Sequence, residues 1–226
     1  MERGYEINDL AKEESWRMFR IIGELVDGFD KLSGIEPAVS IYGSARIRPG
    51  DELYAQTEEI ARRLGELGFS IITGGGPGVM EAANKGALAA GAISVGVNIQ
   101  LPEEQSPNRY TTKSLTFHHF FVRKIMLVKY ATAFIIMPGG LGTADELTEV
   151  LTLMQTRKIK PFPILMFDSS YWQGWMDWLH ETVLPRGYIS KEDFDLLRMA
   201  DKPETVVEAV HQWYKKHQVV GARALG

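Results

Sequence analysis

Short apolar runs, three of them ending in small residues, alternate along this chain with segments of helical period, and that alternation restricts the fold more than any single motif. The runs are AVSIYGS (38–44), FSIITGGG (69–76), ISVGVNI (93–99), AFIIMPGG (133–140) and PFPILMF (161–167). Between them stand ELYAQTEEIARRLGELG, PGVMEAANKGALAAG and FVRKIMLVKYA, whose apolar residues recur at helical spacing. Strands that are apolar on both faces must be covered on both, and the intervening helices can do so. The expected class is α/β: a doubly wound, mostly parallel sheet with helices on both faces. A helix-rich C-terminal third follows.

Before this pattern, residues 6–32 place Trp16, Phe19, Ile22, Val26 and Phe29 at spacings of three or four, which predicts an amphipathic helix that covers either the sheet or another subunit. The expected organisation is a helical extension (1–35), a single nucleotide-binding domain (36–217) and a short tail (218–226). With 226 residues the chain can bury a full core. Its 25 basic and 29 acidic residues leave a net charge of −4, which offers no basic field for nucleic acid or a membrane surface. The absence of cysteine excludes disulfides, thiolate nucleophiles and cysteine metal sites, and fits the cytoplasm. No signal region and no run of about 18 apolar residues is present, so a soluble protein is expected.

In sheets of this kind ligands sit beyond the C-terminal strand ends, where strand order reverses. Three strands end there in small residues: YGSA (Gly43, Ser44), TGGGPG (Gly75, Gly76) and PGGLGT (Gly139, Gly140, Gly142, Thr143). A glycine cluster between strand and helix lets backbone N–H groups approach an anion at the positive end of the helix, so PGGLGT reads as a phosphate cradle. Pro77 suits the first turn of its helix and Gly76 the cap before it. Ser44 suits a phosphate or ribose hydroxyl bond, or a plain turn. The first strand is followed by GSARIRPG, not G-x-G-x-x-G, and no G-x-x-x-x-G-K-[ST] occurs, so neither ordinary nucleotide fingerprint is present.

Thr143 and Glu146 also fit a capping box, and under that reading the acid merely reaches back to its own helix start. The run of glycines before them has no use in a bare cap. A place in the first turn predicts a lowered pKa for Glu146 through the helix dipole, hence a base or charge stabiliser instead of a proton donor. Asp145 points about 100° away and serves as dipole complement or secondary contact. Arg123 and Lys124 stand at the start of a predicted helix, where cations are disfavoured without an anionic ligand or acidic partner. Thr152 and Gln155 are polar positions among leucines that face the nucleotide or the surface. His118 and His119, as strand neighbours, point to opposite faces and cannot share a metal. Trp172, Trp175 and Trp178 are expected to pack. Arg157, Lys158 and Lys160 close the long helix as dipole complements.

GGGPGVMEAANKGA (74–87), FVRK (121–124) and PGGLGTADE (138–146) resemble the Lonely Guy phosphoribohydrolases, once labelled lysine decarboxylases, over residues 38–185. The resemblance implies a Rossmann-like fold, a homodimer, and cleavage of the N-glycosidic bond of a nucleoside 5′-monophosphate, AMP-like or cytokinin-type, to free base and ribose 5-phosphate. It implies catalytic roles for Arg123 and Glu146; from their positions Lys124 and Thr152 are candidate substrate contacts, and no cofactor or metal is expected. Plant-type members carry Met-His-x-Arg-Lys where this chain has Phe120, Phe121 and Val122 before Arg123, and usually glycine at Glu81. Breaking a base–ribose bond builds positive charge on the sugar, which a carboxylate such as Glu146 can stabilise while it orients water. The competing expectation is a carrier that binds a nucleotide or molybdenum cofactor without turnover. A pyridoxal phosphate enzyme would need a Schiff-base lysine, and only Lys124 and Lys129 stand near the site segments.

Overall fold

The computed structural model describes residues 14–101 and 106–224. The predicted helical residues 6–13 therefore lie outside the described part. Seven strands form one sheet: β1 (Ala38–Tyr42), β2 (Ser70–Thr73), β3 (Ser94–Ile99), β4 (Lys113–Phe117), β5 (Ala131–Ile136), β6 (Ile164–Phe167) and β7 (Leu197–Ala200). Their order is β4-β3-β2-β1-β5-β6-β7, and every pairing is parallel. Strand order runs outward both ways from β1, so the reversal lies between β1 and β5, whose ends are in register at Tyr42 and Ile136. This is the doubly wound, Rossmann-like architecture expected from the alternation of apolar runs and helices.

Alternating side chains of the central strands feed two cores. Ala38 and Tyr42 of β1, with Ile72, Val97, Phe134 and Ile136, pack under α1 (Glu14–Lys31), α4 (Phe120–Lys129), α5 (Leu141–Gln155) and α6 (Ser169–Trp178). Val39 and Ile41, with Ile71 and Ile135, pack under α2 (Glu52–Glu66), α3 (Val79–Ala89) and α7 (Pro203–Ala224). Ser40 faces the first layer, and its buried hydroxyl donates to the Leu127 carbonyl at 2.5 Å, which satisfies a polar group that burial would otherwise penalise.

The structure corrects several local expectations. β4 stops at Phe117, so His118 and His119 follow the strand, and both bring Nδ1 to the Glu24 carboxylate, at 3.0 and 3.2 Å. The last strand, β7, went unpredicted, and α7 continues to Ala224, past residue 217. Trp172 is buried and Trp175 packs beside it, but Trp178 is largely exposed. α5 ends at Gln155, so Arg157, Lys158 and Lys160 lie beyond its last turn. On α1 the predicted apolar stripe of Trp16, Phe19, Ile22, Val26 and Phe29 faces outward and does not cover the sheet; the helix packs on the core through Ile21 and Leu25, and Leu32 just after it is buried.

α2 and α3 touch at backbone distance. A β-carbon on Gly86 of α3 would overlap the Glu58 carbonyl of α2, so the two helices could not keep this separation with any larger residue. Because α3 starts immediately after TGGGPG, its seat sets that turn. Gly86→Ala is expected to lower stability by roughly 1–3 kcal/mol despite the better helix propensity of alanine, as overpacking does. Chemical denaturation measures the loss, and an unchanged midpoint would contradict it.

Candidate active site

The three glycine-bearing turns meet at the reversal point and are joined by one residue. Ser44 N–H donates to the Pro138 carbonyl at 3.0 Å, and Val79 N–H at the start of α3 donates to the Ser44 carbonyl at 2.9 Å. YGSA, TGGGPG and PGGLGT are thereby held as one rim. Ser44 Oγ accepts from Arg46 N–H at 3.1 Å, the local turn bond that was the alternative to a ligand contact.

A buried polar network shapes the second turn. Gly75 N–H donates to Thr73 Oγ1 at 3.0 Å, Thr73 Oγ1 donates to Asn84 Oδ1 at 2.7 Å, and Asn84 Nδ2 lies 2.9 Å from Ser94 Oγ. Asn108 Nδ2 reaches the carbonyls of Gly75 and Gly76 at 3.1 and 3.0 Å. Gly75 has φ +75°, a conformation that side chains resist, and a β-carbon there would strike Asn98. Sequence reasoning missed Thr73, Asn84, Asn98 and Asn108. Asn84 carried the clearest signal, because it shares the buried stripe of α3 with Ala83 and Ala87. The α3 helix starts at Val79 with Gly78 as its cap, so Pro77 and Gly76 stand before the helix and not at its first turn and cap.

At the third turn α5 begins at Leu141, with Gly140 as N-cap and no side-chain cap. Thr143 is the third helical residue, buried against Gly139, and Glu146 lies one turn beyond the first. The capping box is therefore absent. The Leu141, Gly142 and Thr143 N–H groups end the helix without a capping side chain, and no neighbouring atom crowds Gly140 or Gly142. Such a terminus presents backbone donors and a positive dipole end to an anion.

Arg123 and Glu146 face the same place. Arg123, on α4, donates Nε–H to the Val97 carbonyl at 2.9 Å, and its guanidinium occupies the space that a β-carbon on Gly74 would take. Burial lowers its pKa, and Glu146 opposes that shift. Glu146 accepts no side-chain or backbone hydrogen bond among the described residues. Burial pushes its pKa from 4.5 up to about 7, against the pull of Arg123 and Lys124 and with the help of Asp145 and Glu149. This reverses the expectation of a lowered pKa. A helix dipole is worth about 0.3–1 kcal/mol and fades after the first turn, whereas a shift of this size corresponds to about 3 kcal/mol.

Lys124, next to Arg123, is bonded at 2.9 Å to Asp145 and lies 3.4 Å from Glu149. Burial pushes its pKa down, but these two carboxylates outweigh that and raise it. Thr152 is not brought to this place. It lies about 120° round α5 from Glu146 at 3.6 residues per turn, bonds the Thr148 carbonyl at 2.7 Å, and lines a separate apolar cavity of about 150 Å³ with Leu151, Trp175 and Phe194. Gln155 bonds Asp193 at 2.8 Å. No group of three or more metal-ligating side chains occurs among the described residues.

A parallel, doubly wound sheet with a glycine-lined rim at its topological switch defines a Rossmann-like α/β protein. The family described as possible lysine decarboxylase matches residues 80–210, more than half the chain, and the chain belongs to this family, the Lonely Guy family. Cytokinin riboside 5′-monophosphate phosphoribohydrolase LOG2 of Arabidopsis thaliana is 26% identical over 165 residues, 70% of this chain and 75% of that protein. The cytokinin riboside 5′-monophosphate phosphoribohydrolase of Mycobacterium tuberculosis is 28% identical over 163 residues, 70% of this chain and 85% of its own length. The solved molybdenum cofactor binding protein of Rippkaea orientalis superposes with a TM-score of 0.57 at 20% identity, covering 78% of this chain and 95% of that one, a likeness of fold.

The raised pKa of Glu146 makes a stability prediction. The folded protein holds the Glu146 proton more tightly than the unfolded chain, so this residue opposes folding increasingly as pH rises from 4.5 to about 7, and the opposition is constant above. Glu146→Gln, which mimics the neutral acid, is expected to be more stable than the parent by up to about 3 kcal/mol at pH 8. The difference shrinks to nothing below pH 4.5, the ordinary value. Denaturant titrations of both proteins across this range would expose a flat difference, which contradicts the assignment.

Proposed function

We propose that the protein hydrolyses the N-glycosidic bond of a nucleoside 5′-monophosphate of AMP type, releasing free base and ribose 5-phosphate. The observation that carries this is the buried Glu146, unbonded and beside Arg123, just inside the uncapped start of α5. The relatives' activity on cytokinin riboside 5′-monophosphates supports the same reaction class. In this reading the 5′-phosphate is held by the N–H groups after Gly139 and Gly140 and by the Gly75–Gly76 turn, with Gly43 and Ser44 closing the rim. Arg123 orients the substrate, and its planar fork suits a phosphate or ribose oxygen.

As the C1′–N bond lengthens, its electron pair goes to the base and positive charge grows on the ribose. The ionised form of Glu146 stabilises that charge and accepts a proton from the water whose oxygen bonds to C1′; the departing nitrogen is protonated in turn. A pKa of about 7 suits a group that must accept a proton and give it up near neutral pH. Lys124, held between Asp145 and Glu149, contributes field and not a direct phosphate bond. A carrier that binds without turnover has no use for a carboxylate held in this costly environment.

We extend the proposal to a homodimer. α4 exposes Phe120, Phe121 and Ile125 close to Arg123, and α1 exposes Trp16, Phe19, Ile22, Val26 and Phe29. Apolar side chains grouped on adjoining helices mark a surface that association covers. Sedimentation is expected to give twice the chain mass, and a monomer at micromolar concentration would contradict it.

Incubation with a panel of nucleoside monophosphates is expected to release free base, read by chromatography. Glu146→Gln should lose roughly 10²–10⁴ in kcat while retaining nucleotide binding, the usual worth of a positioned acid–base group. Binding by the parent protein with no base released from any nucleotide would favour the carrier instead.

A further inference from the structure

The α4 helix carries Arg123 and Lys124 within its first turn and a half, has no acid in its first turn, and its N-cap, His119, provides no side-chain cap. Cations at the positive end of a helix are electrostatically disfavoured. The missing anion comes from α1, far away in sequence. Glu24 Oε1 accepts from the His118 backbone N–H at 3.1 Å and from His118 Nδ1 at 3.0 Å. Its Oε2 accepts from the His119 backbone N–H at 3.4 Å and from His119 Nδ1 at 3.2 Å. The carboxylate is only 14% exposed. Burial pushes its pKa up, but the bonds from His118 and His119 outweigh this and hold it below the ordinary value.

Further contacts continue along the same helix pair. Gly28 of α1 lies against Met126 of α4, Lys129 sits over the Phe29 ring, and the Tyr130 hydroxyl donates to the Phe29 carbonyl at 3.4 Å. α1 thus follows α4 from its cap to its last turn. Any tilt of α4 moves Arg123 against two fixed references, the Val97 carbonyl that its Nε–H bonds and the Gly74 backbone under its guanidinium.

We infer that Glu24 is a positioning residue of the active site: by capping α4 from a different helix it sets where Arg123 meets the substrate. The inference rests on the proposed nucleotide hydrolysis, and it makes the N-terminal helix a working part of the site instead of an appendage. Misplacing an orienting group by about 1 Å can reduce turnover a hundredfold. Glu24 acts at one remove, so a smaller effect is expected.

The test compares Glu24→Ala, Glu24→Gln and, as a control on an exposed α1 pair with Lys31, Asp27→Ala, with AMP as substrate. Glu24→Ala should lose about tenfold in kcat with KM changed less than threefold. Glu24→Gln, which keeps one acceptor but turns an N–H₂ group toward a donor, should fall between it and the parent, and Asp27→Ala should match the parent. Because Glu24 works through Arg123, its loss should cost much less in an Arg123→Lys background. Circular dichroism selects folded variants, and Glu24→Gln decides the matter if Glu24→Ala does not fold. Parent-like kcat in a folded Glu24 variant, an equal loss in Asp27→Ala, or full additivity with Arg123→Lys would each overturn the inference. If the parent protein itself releases no base, the proposed function fails, and not this assignment.

Discussion

The backbone of Ser44 is the constraint on which the rim depends. One N–H and one carbonyl of this residue join turns that follow three different strands, through bonds of 3.0 and 2.9 Å to Pro138 and Val79. Those strands, β2, β1 and β5, are adjacent because strand order reverses at β1. Parallel pairing brings their C-terminal ends level, and small residues there let the turns approach closely enough to bond. The site is a consequence of the sheet's topology before any side chain chemistry is considered. The Thr73 hydroxyl and the Asn108 side chain then supply partners for Gly75 and Gly76 backbone groups that a side-chain-poor turn would otherwise leave unsatisfied.

Upon that rim the charges are distributed unevenly. Lys124 has two carboxylate partners, Asp145 and Glu149, and these same acids push Glu146 further from ionisation. Among the described residues Arg123 is hydrogen-bonded only to a neutral carbonyl, which leaves its charge available to a ligand. An incoming phosphate would find an arginine and a helix terminus. It would also find a glutamate whose charge is already suppressed by burial, so that repulsion between the two anions is limited until positive charge develops on the sugar. Preorganised electrostatics of this kind act on the transition state more than on the ground state.

Local pattern carried much of this to the reader of the sequence. All five apolar runs became interior strands of the sheet, and the PGGLGT and TGGGPG turns stand where strand–glycine–helix order puts them. What escaped depends on distance along the chain or on burial. Asn108 braces Gly75 across 33 residues and Glu24 meets His118 across 94, separations at which no periodicity operates. β7 is a short edge strand, only partly buried, so its apolar signal is weak. The choice between the two roles left open for the α1 stripe could not be made from sequence, because both sides of that helix are apolar, and the one with the larger side chains faces outward, away from the sheet. The sign of the Glu146 shift failed for a quantitative reason: the dipole of a helix end was weighed without the larger penalty of burial, which a sequence does not display.

The region matched by the family begins at residue 80, whereas α1 ends at Lys31. The helix that caps α4 therefore lies outside the matched region, yet it contacts the element bearing Arg123 along its length. Neither bond of the Ser44 junction involves this helix, so the rim is built without it. Once docked, however, it relieves a conflict internal to α4, where two cations crowd a positive helix end. The acids that answer them come from opposite sides: Glu24 of α1 at the cap, and Asp145 and Glu149 of α5 at Lys124. Arg123 stands between these compensated points and is the member of the set left facing the turn, so under the proposed function the tilt of α4 sets where Arg123 meets the substrate.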